Sequence, residues 1–147
     1  MLRRTLLIVF LLSIAGTAPA GCGSATSTST EHEVPMAPMS MMPDDVKSAA
    51  AVTQQAYQFA VANPEVMQHV PCYCGCGSMG HTSSYMCYVK SVEADGKVNF
   101  DSHAIGCSIC VDITQDTLRL FKQGKNAAEI KAYVDKTYSR FGPSNMQ

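Results

Sequence analysis

Three cysteines stand at alternate positions in the segment Cys72-Tyr73-Cys74-Gly75-Cys76. In an extended chain alternate side chains leave the backbone on the same side, so three sulfur atoms can converge on one point. Gly75 lets the backbone bend around that point. His81 and Cys87 follow, and a second group, His103, Cys107 and Cys110, comes later in the chain. On a helix the spacing i, i+4, i+7 places these three on one stripe. A thiol loop docked on that stripe would gather six sulfurs and two imidazoles. Thiolates select Cu(I), zinc and iron–sulfur clusters, whereas imidazole also suits zinc and copper. Six sulfurs exceed one tetrahedral zinc site, which takes four ligands. The donor set therefore points to two ions or a polynuclear Cu(I)–thiolate cluster, with zinc as the competing metal. The stripe also sets a limit. At a rise of about 1.5 Å per residue, His103 and Cys110 lie about 10 Å apart along a helix. That is too far for all three to meet one ion, so His103 is expected to cap the rim or to share a second ion with His81.

Two other chemistries fit the same residues. Outside the cytoplasm six cysteines in a small domain form three disulfides by default, here with Cys72, Cys74 and Cys76 each bridging across to Cys87, Cys107 or Cys110. Such a scaffold gives His81 and His103 no role. Alternatively, Cys107 and Cys110 form a redox-active pair in a thiol–disulfide oxidoreductase. Covalent haem attachment is excluded, because it needs a histidine directly after the second cysteine and Val111 stands there. An exposed iron–sulfur cluster would be oxidatively fragile outside a membrane, and a Cys/His nucleophile does not call for five more thiols. Met36, Met39, Met41 and Met42, with His32, add soft thioethers that cannot form disulfides and so stay available to Cu(I).

The elements that must position these donors read as a mainly α, small helical domain with a Cys/Gly-rich loop and a C-terminal antiparallel helical hairpin. Pro35, Pro38 and Pro43 predict an extended, exposed segment before it. Asp44 and Asp45 start a helix whose face carries Val46, Ala49, Ala50, Thr53, Ala56, Tyr57 and Ala60. Asn63-Pro64 ends it and opens a short one that Pro71 stops. Pro71 to Gly80 is the cysteine loop, Ser84 to Val92 is compatible with helix or strand, and Asp95-Gly96 is a turn. A long helix is predicted from Ser102 to Gly124, with Ile105, Ile109 and Ile113 packing beside the donor stripe. Asn126 with Glu129 forms a capping box for a last helix lined by Ile130, Tyr133, Val134, Thr137, Tyr138 and Phe141, closed by Gly142-Pro143. A core of this size is modest, so a cross-link or metal would help to hold it.

The first third of the chain has a different composition. Arg3 and Arg4, the apolar run Leu6–Leu12 and the small residues Ala15–Gly21 have the layout of a signal peptide, residues 1–21. Ala18-Pro19-Ala20 suits ordinary signal peptidase, whereas Ala20-Gly21-Cys22 suits acylation of Cys22. The polar run Gly23–Thr30 directly after Cys22 favours the lipid anchor. Residues 22–43 are then an anchor and a disordered Met/Pro-rich tether, 44–143 the domain and 144–147 a tail. The expected location is the extracytoplasmic face of the cell membrane. Without Arg3 and Arg4 the 11 basic residues fall to nine against 12 acidic ones. With no basic cluster, nucleic acid is excluded as a partner.

The string Pro71-Cys72-Tyr73-Cys74-Gly75-Cys76 resembles the signature of the PCYCGC motif-containing (lipo)protein family. The likeness continues through Gly80-His81, Cys87-Tyr88, His103, Cys107-Ser108-Ile109-Cys110, Gly124-Lys125, Glu129-Ile130 and Tyr133, covering about Val66 to Gly142. It implies a secreted or lipid-anchored bacterial protein and says nothing of mechanism. The closing hairpin, with Cys107 and Cys110 ahead of Gly124-Lys125-Asn126, Glu129-Ile130 and Tyr138, is similar to the thiol-bearing helical domain of cytochrome c maturation reductases. That second likeness implies the redox alternative. The residues together lead to an expectation of a non-enzymatic protein that binds Cu(I) through Cys72, Cys74, Cys76, His81, Cys87, His103, Cys107 and Cys110. It would serve as a chaperone, scavenger or delivery protein for a copper enzyme or metal-transfer partner.

Overall fold

A computed structural model describes residues 32–146. Residues 1–21, expected to be a signal peptide, and Cys22 with the polar run after it lie outside the described residues. The fold is mainly α, with one small sheet. Helix α1 (Asp44–Lys47) is a single turn and α2 spans Ala51–Ala62. The continuous helix expected from Asp44 is thus interrupted at Ser48–Ala50. The Ser48 hydroxyl and backbone N–H both bond to the carbonyl of Asp44, closing the first turn on itself. Helix α3 (Pro64–Met67) opens on a proline, whose missing N–H costs nothing in the first turn.

Residues Ser84–Val92 resolve into a 3-10 turn, Tyr85–Cys87, and strand β1 (Val89–Val92), which pairs antiparallel with β2 (Val98–Phe100). Between the strands Gly96 takes φ 88°, a left-handed conformation that glycine adopts without steric cost. Beside it Asp95 accepts from the Lys97 N–H at 3.0 Å. The hairpin folds the chain back so that Asp101 N–H donates to the Tyr88 carbonyl at 2.9 Å. Cys87 and His103 are thereby brought to the same end of the molecule.

Helix α4 (Ser108–Lys122) is the centre of the domain. Its residues Val111, Ile113, Thr114, Thr117, Leu118 and Leu120 are buried, a stripe broad enough to take helices on two sides. On one side α2 runs in the same sense, with Gln115 bonded to the Val52 carbonyl and the Phe59 and Phe121 rings 6.2 Å apart. On the other lies α5 (Ala127–Tyr138), which buries Ile130, Val134 and Tyr138 at four-residue intervals. The Arg119–Tyr133 and Asp116–Tyr138 bonds show that α4 and α5 run in opposite senses. Ile113 and Ile130 are fully buried. Each contributes roughly 2 kcal/mol from apolar area removed from water.

Two sequence expectations are corrected. The segment 32–43 is not a free tether. His32 N–H bonds to the Lys122 carbonyl, Ala37 exchanges two bonds with Gln58, and Asn63 Nδ2 donates to the Pro35 carbonyl. Ala37 and Met42 are buried, and Met39–Met41 form a 3-10 turn between Pro38 and Pro43. The prolines forbid an α-helix, but Ala37 and Met42 have apolar surface to bury, and Gln58 and Asn63 supply the partners the backbone needs. The second correction concerns the terminus. Residues 144–146 are not a tail, because Asn145 is buried against Cys72.

Helix α5 starts from a complete capping box. Asn126 Oδ1 accepts from the Glu129 N–H and Glu129 accepts from the Asn126 N–H, both at 3.0 Å. Replacing Asn126 by Ala should cost about 1 kcal/mol, a fall in Tm of roughly 4–8 °C. Thermal unfolding followed by circular dichroism checks this, and an unchanged Tm would mean that the box contributes nothing to the fold.

Candidate metal centre

The long helix predicted from Ser102 does not form, and its absence makes the site. Residues His103–Gly106 are a 3-10 turn, Cys107 is extended (φ −124°, ψ 99°), and the α-helix begins only at Ser108. Asp101 Oδ1 accepts from the His103 N–H at 2.8 Å and holds the turn open. The kink replaces the straight donor stripe with a concave set. Donor atoms of Cys74, His103, Cys107 and Cys110 all lie within 4.8 Å of one another. His103 therefore joins the two thiols of its own segment, contrary to the limit set by a straight helix.

The cysteine loop also departs from simple alternation. Gly75 takes φ 88° and starts a 3-10 turn, Cys76–Met79. This left-handed residue, a conformation open to glycine, diverts the third cysteine from the first two. Cys74 joins the outer set, and Cys72 and Cys76 join Cys87 in an inner set whose sulfurs also lie within 4.8 Å. The two sets are contiguous. Cys72 Sγ is 3.4 Å from Cys74 Sγ and 3.5 Å from Cys110 Sγ, Cys74 Sγ is 3.5 Å from Cys110 Sγ, and Cys76 Sγ is 3.7 Å from Cys87 Sγ. His103 Nε2 is 3.3 Å from Cys74 Sγ. Thiolates bound at about 2.3 Å to one tetrahedral ion sit about 3.8 Å apart. The sulfurs stand close to that spacing, and all six are free thiols.

His81 is placed differently. It is buried beside the cluster, its ring 5.4 Å from that of His103 and its Nε2 3.6 Å from Asp101 Oδ2. It belongs to neither donor set among the described residues, and its buried Nδ1 has no hydrogen-bond partner among them. His81 packs against the ligand-bearing turn, its ring against that of His103. His32 and Met36 lie by Lys122, at the opposite end of α4 from Cys110 and far from the cluster.

Electrostatics follow from the crowding. The Cys110 and Cys87 thiols donate toward Cys72, holding its thiol far below the usual thiol range. Hydrogen bonding with Cys72 raises Cys110, and hydrogen bonding with Cys110 and then with Cys72 raises Cys87, both far above that range. Burial, and then the Cys72 charge, raises Cys74, while the Cys87 thiol beside Cys76 lowers Cys76 to about 7. The directions favour negative charge at Cys72 and disfavour it at Cys74, Cys87 and Cys110. Full deprotonation requires positive charge among the sulfurs. Cys107 caps the N-terminus of α4 and Cys110 lies in its first turn, where the helix dipole favours anionic ligands.

Supporting bonds fix the backbone around these atoms. The buried Tyr88 hydroxyl donates to the Cys110 carbonyl at 2.8 Å and accepts from Thr114. Ser84 bonds to Pro71 and Val70, anchoring the start of the cysteine loop. The residue that sequence reasoning missed is Asn145. Its side chain accepts from the Cys72 N–H at 2.7 Å, its own N–H donates to the Cys72 carbonyl at 3.0 Å, and its Nδ2 lies 3.5 Å from Cys76 Sγ. The strap that carries it crosses Tyr73 at Gly142, where a Cβ would stand 3.0 Å from the Tyr73 carbonyl oxygen. No local signal marks Asn145, since its partners Cys72 and Cys76 lie 73 and 69 residues earlier in the chain.

Fold and site together define a small, mainly helical cysteine-rich protein with clustered donors able to hold a metal. The chain belongs to the family described as a protein of unknown function with a PCYCGC motif, which matches residues 8–144. A search of the curated proteins gave no match, and a search of the solved structures gave none.

Replacing Asn145 by Ala leaves the buried Cys72 N–H without its acceptor, a cost of about 1–3 kcal/mol. The Cys72 amide should then exchange with deuterium markedly faster than in the native chain, with α5 amides little changed. Equal exchange at Cys72 in both proteins would show that the strap does not hold the loop.

Proposed function

We propose that this protein binds Cu(I) through its six clustered thiols and His103, and acts outside the cytoplasm as a copper chaperone, scavenger or delivery protein. The carrying observation is the division of donors into a set of four and a buried set of three, joined through Cys72. Cys74, His103, Cys107 and Cys110 by themselves would suit zinc. Cys72, Cys76 and Cys87 form a buried group of three soft sulfurs with no imidazole or carboxylate in it, a composition that favours Cu(I). Acylation of Cys22 would hold the domain at the membrane surface, where a copper enzyme or transfer partner would meet it. No described helix is long and apolar enough to cross a membrane.

A second reading, thiol–disulfide exchange by Cys107 and Cys110, is favoured by one feature. Cys107 is half-exposed at a helix N-terminus with Cys110 buried behind it, an arrangement that suits an attacking thiol and a resolving one.

Competition with a coloured Cu(I) chelator, with copper and free thiols counted on the natively purified chain, tests the first reading. The expected result is more than one Cu(I) per chain, released as pH falls, because protons compete for every thiolate. Cys107→Ser should weaken binding by roughly tenfold or more and His103→Ala by only a few-fold, since a hydroxyl is a poor Cu(I) ligand and one of several donors is lost in each case. A native chain with neither metal nor free thiols would establish the disulfide scaffold in its place. Rapid, reversible exchange of Cys107–Cys110 with a protein thiol would establish the redox reading.

A further inference from the structure

The donors differ in exposure in a way that simple storage does not need. Cys72, Cys87 and Cys110 are 0% exposed and Cys76 2%, whereas Cys74, His103 and Cys107 are half-exposed. The inner set is closed by protein on its other sides. Asn145 covers Cys72 and Cys76, and Cys87 is fully buried, its N–H donating to the carbonyl of the buried Ser84. Cys72 faces inward to Cys76 and Cys87, yet stands 3.4 Å from Cys74 and 3.5 Å from Cys110.

We propose that the site is a two-stage path, in which Cu(I) is captured at the rim by Cys74, His103 and Cys107 and passed through Cys110 and Cys72 to the buried Cys72, Cys76 and Cys87. The inference rests on the Cu(I) reading above and adds direction to it. A rim ion shares its coordination with an imidazole, a weaker partner for Cu(I) than thiolate, and is the more easily released. Because neighbouring sulfurs are already at ligand spacing, the ion gains an inner thiolate before it leaves an outer one and is never bare. Capture at the rim releases thiol protons to water. Transfer inward moves protons from the inner thiols to the rim sulfurs that the ion vacates. Copper stays Cu(I) throughout and no electron is transferred. The competing route is direct opening of the exposed Gly77–Gly80 loop over Cys76.

The test is stopped-flow transfer of Cu(I) from a chelator to the purified chain, together with rapid alkylation and mass mapping of cysteines. Native protein should load in two phases. Cys76→Ser should keep the first phase and lose the second, whereas Cys107→Ser should slow filling of the inner set by roughly tenfold, since a rim ligand is gone. The native chain gives a readout independent of variant folding. With one equivalent of Cu(I), Cys107 should be protected from alkylation at early times and become reactive again as the ion moves inward. Inner-set filling at the native rate in Cys107→Ser, or Cys107 reactive at every time, overturns the path while leaving Cu(I) binding intact. A native chain that takes up no Cu(I) overturns the metal reading itself.

Discussion

Six thiols share one small, largely buried volume, and that crowding governs the rest of the structure. Neighbouring sulfurs stand between 3.4 Å and 3.7 Å apart. At such separations they cannot all be ionised without a cation between them. Hydrogen bonding among the thiols lowers Cys72 and raises Cys87 and Cys110, so negative charge is favoured at Cys72 over those two neighbours. A metal cation held among the sulfurs would remove this conflict by supplying positive charge there. The energetic cost of assembling the cluster would then be recovered on binding, which is the linkage by which metal sites stabilise small domains.

Each departure from regular structure serves that assembly. The break at Cys107 turns a helical stripe into a concave donor set, and the left-handed Gly75 splits adjacent cysteines between two sets. The β-hairpin returns the chain so that Cys87 and His103 flank the same loop, and Asp101 pins the return by accepting from His103 N–H. Asn145 then closes the assembly from the far end of the sequence. These constraints are held by α4, whose two-sided packing against α2 and α5 gives the loops a rigid floor.

Sequence patterning made the helical faces legible because four-residue periodicity and the Asn126–Glu129 box are local signals. The mainly α class and the list of clustered cysteines were readable for the same reason. The interruption at Cys107 was not, since Ser102 to Gly124 has no proline and its apolar spacing is helical throughout. What breaks it is a local bond, His103 N–H to the Asp101 carboxylate two residues earlier, in a chain redirected by the hairpin. His81 was indistinguishable from His103 in sequence, yet lands behind it beside Asp101, its Nε2 3.6 Å from the carboxylate. The Met/Pro segment looked like a tether because prolines preclude helix, but packing needs only buried side chains and satisfied backbone groups. Gln58 and Asn63 provide these from a distance.

X-ray absorption on the copper-loaded chain tests the central claim, that the six sulfurs act as one contiguous cluster, most directly. The account predicts Cu(I) surrounded mainly by sulfur, with a minor imidazole contribution from His103 and distinct copper–copper scattering from thiolates shared between ions. Isolated copper with oxygen and nitrogen neighbours and no copper–copper scattering would contradict it.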